Sequence, residues 1–182
     1  MKVISGKYKG KKLDGFNIDG TRPTMDRVKE SVFASIQDYI RESVVLDLYA
    51  GSGNLAIEAL SNGAKKAYLV DISNDAIKVI NNNIKSLNID NAVVLKEDAK
   101  DALINFINNN KTFDIIFLDP PYETDEIDKI LSIINDNISL LSQNGLIVCE
   151  TTKSINYDKY TKLKIYKCKK YGVKCINILK IK

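Results

Sequence analysis

An α/β fold, with a mostly parallel sheet that carries helices on both faces, is the class this sequence predicts. Three observations predict it. From residue 44 onward, apolar runs of strand length alternate with stretches of helical periodicity, the pattern of right-handed strand-helix-strand crossovers. A glycine turn, "GSGN" at 51–54, follows the first of these runs. Acidic residues then stand at the ends of four successive runs, Asp47, Asp71, Asp98 and Asp119. In a sheet of this class those ends share one rim, where ligands bind at a topological switch point.

The elements follow in order. "KVISGKYKGKKL" (2–13) is a glycine-punctuated strand or hairpin. After "TRPT" (21–24), Val28, Val32, Phe33, Ile36, Tyr39 and Ile40 fall at helical spacing, which starts a helix near Thr24 or Asp26. "VVLDLYA" (44–50) is a buried strand, and "LAIEALSNGA" (55–64) is a helix that Gly63 closes. "AYLVDI" (67–72) is the second strand, backed by a helix marked by Ile77, Ile80, Ile84 and Leu87. "AVVLKED" (92–98) is the third, followed by a short helix carrying Leu103, Phe106 and Ile107. "FDIIFL" (113–118) is the fourth, and Ile127, Ile130, Leu131, Ile134, Ile138 and Leu141 trace the next helix. "GLIVCET" (145–151) is the fifth. From Tyr160 on, two alternating strands meet near Tyr171 and Gly172.

At 182 residues, 45% apolar and 27% charged, the chain is sized for one ordinary globular domain. No apolar stretch approaches the roughly 20 residues of a bilayer span, and "MKVISGKYKGKK" lacks a signal-peptide core. The expectation is a cytoplasmic protein with no membrane partner. Cys149, Cys168 and Cys175 have no metal-ligand spacing and are odd in number, so they read as buried thiols, with no metal site. The absence of histidine removes Ser/His and Cys/His catalysis.

Charge is distributed unevenly. Residues 1–12 carry +5 and residues 153–182 carry +9, which leaves −10 on the middle for a net of +4. Basic ends around an acidic centre suit a polyanionic partner such as a nucleic acid. Lysines alternating with apolar residues also protect exposed strand edges.

"GSGNLA" (51–56) fits G-x-G-x-x-A after a strand, with Asp71 about 20 residues on. Alone, that fingerprint suits NAD or any adenosine-containing cofactor. Asp47 ahead of the glycines and Asp98 after the third strand tilt the reading: carboxylates repel a pyrophosphate but suit the sulfonium and amino group of S-adenosylmethionine.

The fourth strand ends in "DPPY" (119–122). An exocyclic amine on a base has its lone pair delocalised into the ring, so an enzyme that methylates it needs acceptors for its two N–H bonds. The Asp119 carboxylate and the Pro120 carbonyl can serve. Pro120 and Pro121 fix φ and stiffen the loop, and Tyr122 offers a flat face for a base, an interaction worth roughly 1–3 kcal/mol.

"SGKYKGKKL" (5–13), "TRPTMDRVKESVF" (21–33), "LDLYAGSGNLAIEALSNGA" (46–64) and "FDIIFLDPPY" (113–122) together resemble the RsmD family, which methylates N2 of a guanine in bacterial 16S ribosomal RNA. The resemblance implies a Rossmann-like class I S-adenosylmethionine-dependent methyltransferase fold with a seven-stranded sheet. It implies one domain over 1–182, with a small N-terminal hairpin extension (1–23) beside the active site and a catalytic core (24–182). Asp47, Ala50, Gly51, Ser52, Gly53, Asn54, Asp71, Ile72, Asp98 and Ala99 would line the cofactor. Asp119, Pro120, Pro121 and Tyr122 would hold the amine, and Lys7, Lys9, Lys11, Arg22, Thr24 and Arg27 would face RNA. The implied partner is 16S ribosomal RNA in the assembling small subunit, met by a monomer. Other readings are an adenine-N6 or cytosine-N4 DNA methyltransferase, a dehydrogenase, and a non-catalytic RNA-binding assembly factor.

Overall fold

Val45, Leu46 and Asp47 are buried and flanked by apolar strands on both sides, so β1 (Val44–Asp47) occupies the middle of the sheet. The computed structural model describes residues 1–15, 22–120, 125–152 and 155–182, with side chains in the first helix from residue 26 on. The other strands are β2 (Lys66–Asp71), β3 (Ala92–Lys96), β4 (Phe113–Leu118), β5 (Leu141–Thr151), β6 (Leu163–Tyr171) and β7 (Lys174–Ile181). Among the described residues they form one seven-stranded sheet in the order β3-β2-β1-β4-β5-β7-β6. β1 to β5 pair in parallel, and β7 runs antiparallel to both β5 and β6. The chain builds outward from β1 to β3 and then returns to the far side of β1 with β4. That reversal sets a switch point between β1 and β4.

Alternation along the strands supplies two cores. Val45, Ile115 and Phe117 face α1 (Arg22–Ile40), α2 (Asn54–Ser61) and α3 (Asn74–Ser86), where Phe33, Ile36, Ile57 and Ile80 cover them. Leu46, Ile116 and Leu118 face α4 (Ala99–Asn108) and α5 (Glu126–Asp136), under Leu103, Phe106, Ile130 and Ile134. Phe33 lies 5.9 Å from Phe117, centroid to centroid, which locks α1 across β4. Each such side chain contributes on the order of 1.5–3 kcal/mol through burial. Among the described residues, no helix is long and apolar enough to cross a membrane.

The expected mostly parallel α/β sheet with helices on both faces is what forms, with shifts at the ends of elements. β1 stops at Asp47 rather than running to Ala50, although Leu48 N–H still bonds the Phe117 carbonyl at 3.3 Å and Ala50 N–H the Val70 carbonyl at 3.0 Å. α1 begins at Arg22, before the expected start. α5 ends at Asp136: Ile138 lies in a single tight turn (Ile138–Leu140) and Leu141 already belongs to β5. Leu141 is buried as the opening of a strand, and its spacing only continues the helical period.

The expectation of three buried thiols fails for two of them. Cys149 is buried, Cys175 half-buried, and Cys168 exposed on β6. β6 is the sheet's edge strand, its residues from Lys164 to Lys170 are exposed, and a register shift interrupts it between Ile165 and Lys167. Lysines and a bulge blunt that edge against further pairing.

Candidate active site

β1 hands the chain to α2 through a turn that two glycines make possible. Gly53 sits at φ +78° as the residue capping α2, and a Cβ there would come within 3.0 Å of Leu69. Gly51, at φ +55°, donates its N–H to Asp71 Oδ2 at 2.8 Å, and Ser73 N–H donates to Asp71 Oδ1 at 2.9 Å. Asp71 at the end of β2 therefore holds the turn in place. The adjoining Ile72 is 66% exposed, an apolar face left open on the rim.

Asp47 lies beneath this turn and is 1% exposed. Its Oδ2 accepts the Ala56 N–H at 3.3 Å, while Oδ1 has no partner among the described residues. Burial raises the carboxyl to about 7; the Ala56 N–H opposes the shift, and the Asp119 and Asp71 carboxylates add to it. A buried carboxylate with an oxygen to spare suits a cationic or donor-rich ligand.

Asp47 pairs with Phe117 across β1 and β4, so Asp119 emerges two residues further along the neighbouring strand. Asp119 is exposed at the end of β4. Desolvation raises its carboxyl to about 7, Glu150 raises it further, and Lys174 opposes both. Leu118 pairs with Cys149, which sets Asp119 beside Glu150 on β5. Lys174 forms an ion pair with Glu150. Pro120 is buried. Pro121 and Tyr122 lie outside the described residues.

The other anticipated residues divide by what they touch. Ser52 is buried with its hydroxyl 3.6 Å from Met1 Sδ, and Asn54 Oδ1 accepts from Lys29 Nζ at 2.7 Å, so both side chains have scaffold partners. Asp98 caps α4 by accepting the Lys100 N–H at 2.9 Å. Ala50 and Ala99 are buried against the rim elements. The first residues do form a hairpin, closed by a single Lys2–Lys12 bridge. Its base lies by the glycine turn, but its tip follows α2 to the opposite end, where Lys7 N–H donates to the Ser61 carbonyl at 2.7 Å. α2 spans about 10 Å from Asn54 to Ser61, so the exposed Lys7 and Lys9 stand away from Asp119. Lys11 and Arg27 are exposed; the side chains of Arg22 and Thr24 lie outside the described ones.

Three supporting residues gave no local signal in the sequence. Lys29 and Glu58 form a buried ion pair, and Glu58 also accepts the Ile4 and Ser5 N–H groups. Asn83 of α3 donates to the carbonyls of Asp14 and Ser52, both at 3.0 Å, and accepts the Asp14 N–H at 2.8 Å. Together they fasten the N-terminal segment to the glycine turn.

Comparison with known proteins agrees with this architecture. The family described as conserved hypothetical protein 95 matches residues 1–180. The ribosomal RNA small subunit methyltransferase D of Haemophilus influenzae is 36% identical over 169 residues, 90% of this chain and 86% of that one. YlbH of Bacillus subtilis, named as a candidate rRNA methyltransferase, is 40% identical over 156 residues, 85% of this chain and 84% of its own. The Escherichia coli structure of yhhF, named as a candidate methyltransferase, superposes with a TM-score of 0.86 at 27% identity, covering 100% of this chain and 98% of that one.

Proposed function

This chain belongs to the conserved hypothetical protein 95 family together with ribosomal RNA small subunit methyltransferases D, and from that premise we propose that it methylates the exocyclic N2 amine of a guanine in 16S ribosomal RNA, using S-adenosylmethionine. The observation that carries the reading is the juxtaposition at the switch point. The Asp119 carboxylate stands one strand from a glycine turn underlain by Asp47 and braced by Asp71.

The residues on the rim fit the cofactor. Asp47 has a buried oxygen without a partner, the acidic set suits a cation, and Ile72 offers an apolar face to a ring. Gly51, Gly53, Asp71 and Ile72 would hold the adenosine part; Asp47, Ala50, Asp98 and Ala99 would border the rest. S-adenosylmethionine supplies an electrophilic methyl group on a sulfonium sulfur.

The protein's own part is to place and polarise the amine. The Asp119 carboxylate and the Pro120 carbonyl accept its two N–H bonds, which draws the nitrogen lone pair out of the ring. Pro121 stiffens the carbonyl's loop and Tyr122 stacks on the base. The N–CH3 bond would form as the sulfonium's S–CH3 bond breaks, leaving a neutral thioether; the methylated ammonium then loses one proton to water and is acidic enough to need no strong base, in keeping with a chain that lacks histidine.

Lys11, Arg27, Arg22, Thr24, Lys7, Lys9 and the basic β6 are proposed to meet RNA phosphates, which makes binding salt-dependent. The partner is the assembling small subunit, met in the cytoplasm by a monomer. The test is to incubate the protein with methyl-labelled S-adenosylmethionine and small subunits from cells lacking it, then digest the RNA. Label in N2-methylguanosine is the expected result. Label in another nucleoside alone, or none despite measurable cofactor binding, overturns the reading.

A further inference from the structure

We propose that Glu150 is the specificity-determining residue that separates guanine from other amine-bearing bases, by accepting the ring N1–H that stands beside the N2 amine. The inference rests on the guanine-N2 reading of this same site and assigns a residue that the glycine turn and the DPPY stretch leave out.

Glu150 is the register neighbour of Asp119. Phe117 pairs with Val148 and both belong to one core; Leu118 pairs with Cys149 and both belong to the other. Alternation therefore turns Glu150 to the Phe117 side, and Asp119, one residue past Leu118, continues the same register. Adjacent parallel strands lie about 4.8 Å apart. Glu150 adds to the electrostatic field at Asp119 and is itself ion-paired by Lys174, with the two side chains 14% and 30% exposed.

The chemistry of the bases decides what such a pair can read. In guanine the amine is flanked by N1–H, so its edge presents donors side by side. In adenine and cytosine the ring nitrogen beside the amine carries a lone pair. Two neighbouring carboxylates match a donor–donor edge and repel a donor–acceptor one. Lys174 compensates the charge that Glu150 brings next to Asp119. A carboxylate has about four acceptor positions, so an ion-paired one still accepts N–H donors. A site built to accept an N–H rejects the analogue that lacks it more strongly than an apolar pocket rejects a missing methyl.

The test uses the full chain and reconstituted small subunits carrying either guanine or 2-aminopurine at the modified position. 2-Aminopurine keeps the amine but has a bare N1. The unaltered protein is expected to methylate guanine faster by about tenfold or more, the order of a hydrogen bond to a charged acceptor. Glu150→Gln, whose amide can donate to a bare N1, and Glu150→Ala, which removes the group, are both expected to bring the two rates within about threefold. Variants that slow both substrates in proportion and keep the preference overturn the assignment. So does an unaltered protein that methylates both alike, with no variant required. No N2-methylguanosine from the unaltered protein overturns the reading beneath it, a separate failure visible before any analogue is compared.

Discussion

The Lys29 ammonium lies 2.8 Å from the Glu58 carboxylate, with the two side chains 3% and 0% exposed. Lys29 also donates to the Lys2 carbonyl at 2.8 Å and to Asn54 Oδ1 at 2.7 Å. One buried cation thus ties α1, α2 and the N-terminal segment together beneath the proposed cofactor turn. Removing it strands a buried carboxylate. Lys29→Ala is expected to destabilise the protein by about 3–5 kcal/mol, and the double variant with Glu58→Ala by less than the sum of the singles. Urea denaturation of the four proteins in that cycle checks it; strict additivity would contradict the coupling.

Gly6 bears on the same attachment. It sits at φ +77°, and a Cβ would fall 1.9 Å from the Ser61 carbonyl oxygen. Gly6→Ala is expected to lift the hairpin off α2 while the sheet stays folded. Amide hydrogen exchange should show loss of protection at Lys7, whose N–H bonds that carbonyl, with β1 and β4 unchanged.

Asp47 should make stability depend on pH. Its folded pKa, about 7, lies above its ordinary value of 3.8, so between those values the folded state binds more protons than the unfolded one. Stability then falls as pH rises through that window, and the penalty is complete above 7. Asp47→Asn removes the penalty. Its stability relative to the unaltered protein should improve between pH 5 and pH 8 by an amount on the order of a few kcal/mol, measured by thermal denaturation at each pH. A pH-independent difference would show that Asp47 stays ionised or protonated throughout.

Asp119 should make transfer depend on pH in the opposite sense. In its proposed role it accepts an N–H as a carboxylate, and its carboxyl is raised to about 7 by desolvation and by Glu150. The single-turnover rate is expected to rise with pH to a plateau, with a midpoint near 7. Glu150→Gln removes one raising influence, so the midpoint should move to lower pH. A flat profile from pH 5.5 to 8.5 would contradict Asp119 as the ionising acceptor.

The parts of the site legible in the sequence are those encoded over a few adjacent residues. β4 is legible because an unbroken apolar run, 115–118, leads into an acid and two prolines, and the glycine turn because strand, glycines and helix are contiguous. Glu58 and Ile4, 54 positions apart, and Asn83 and Asp14, 69 apart, leave no local trace, since only the fold brings them together. Glu150 stands next to last in β5 and looks in sequence like any acid near a strand end; only the pairing of Leu118 with Cys149 sets it beside Asp119. The end of α5 was misread because Ile138 and Leu141 keep the helical period for another reason: each is drawn to the same core, one from a turn and one from a strand. Cys168 was misread because apolar alternation does not distinguish a covered face from an open edge.

The most direct measurement separates the two halves of the rim. Asp119→Ala should leave S-adenosylmethionine binding within about threefold of the unaltered protein, because the glycine turn, Asp47 and Asp71 remain. It should lower single-turnover methyl transfer to small subunits by about a hundredfold or more, the scale seen when a preorganised hydrogen-bonding group at the reacting centre is removed. Calorimetric titration of the cofactor and labelled transfer on one preparation give both numbers. Weakened cofactor binding with proportionate loss of transfer would place Asp119 in the cofactor site, and transfer that survives the substitution would remove it from the chemistry.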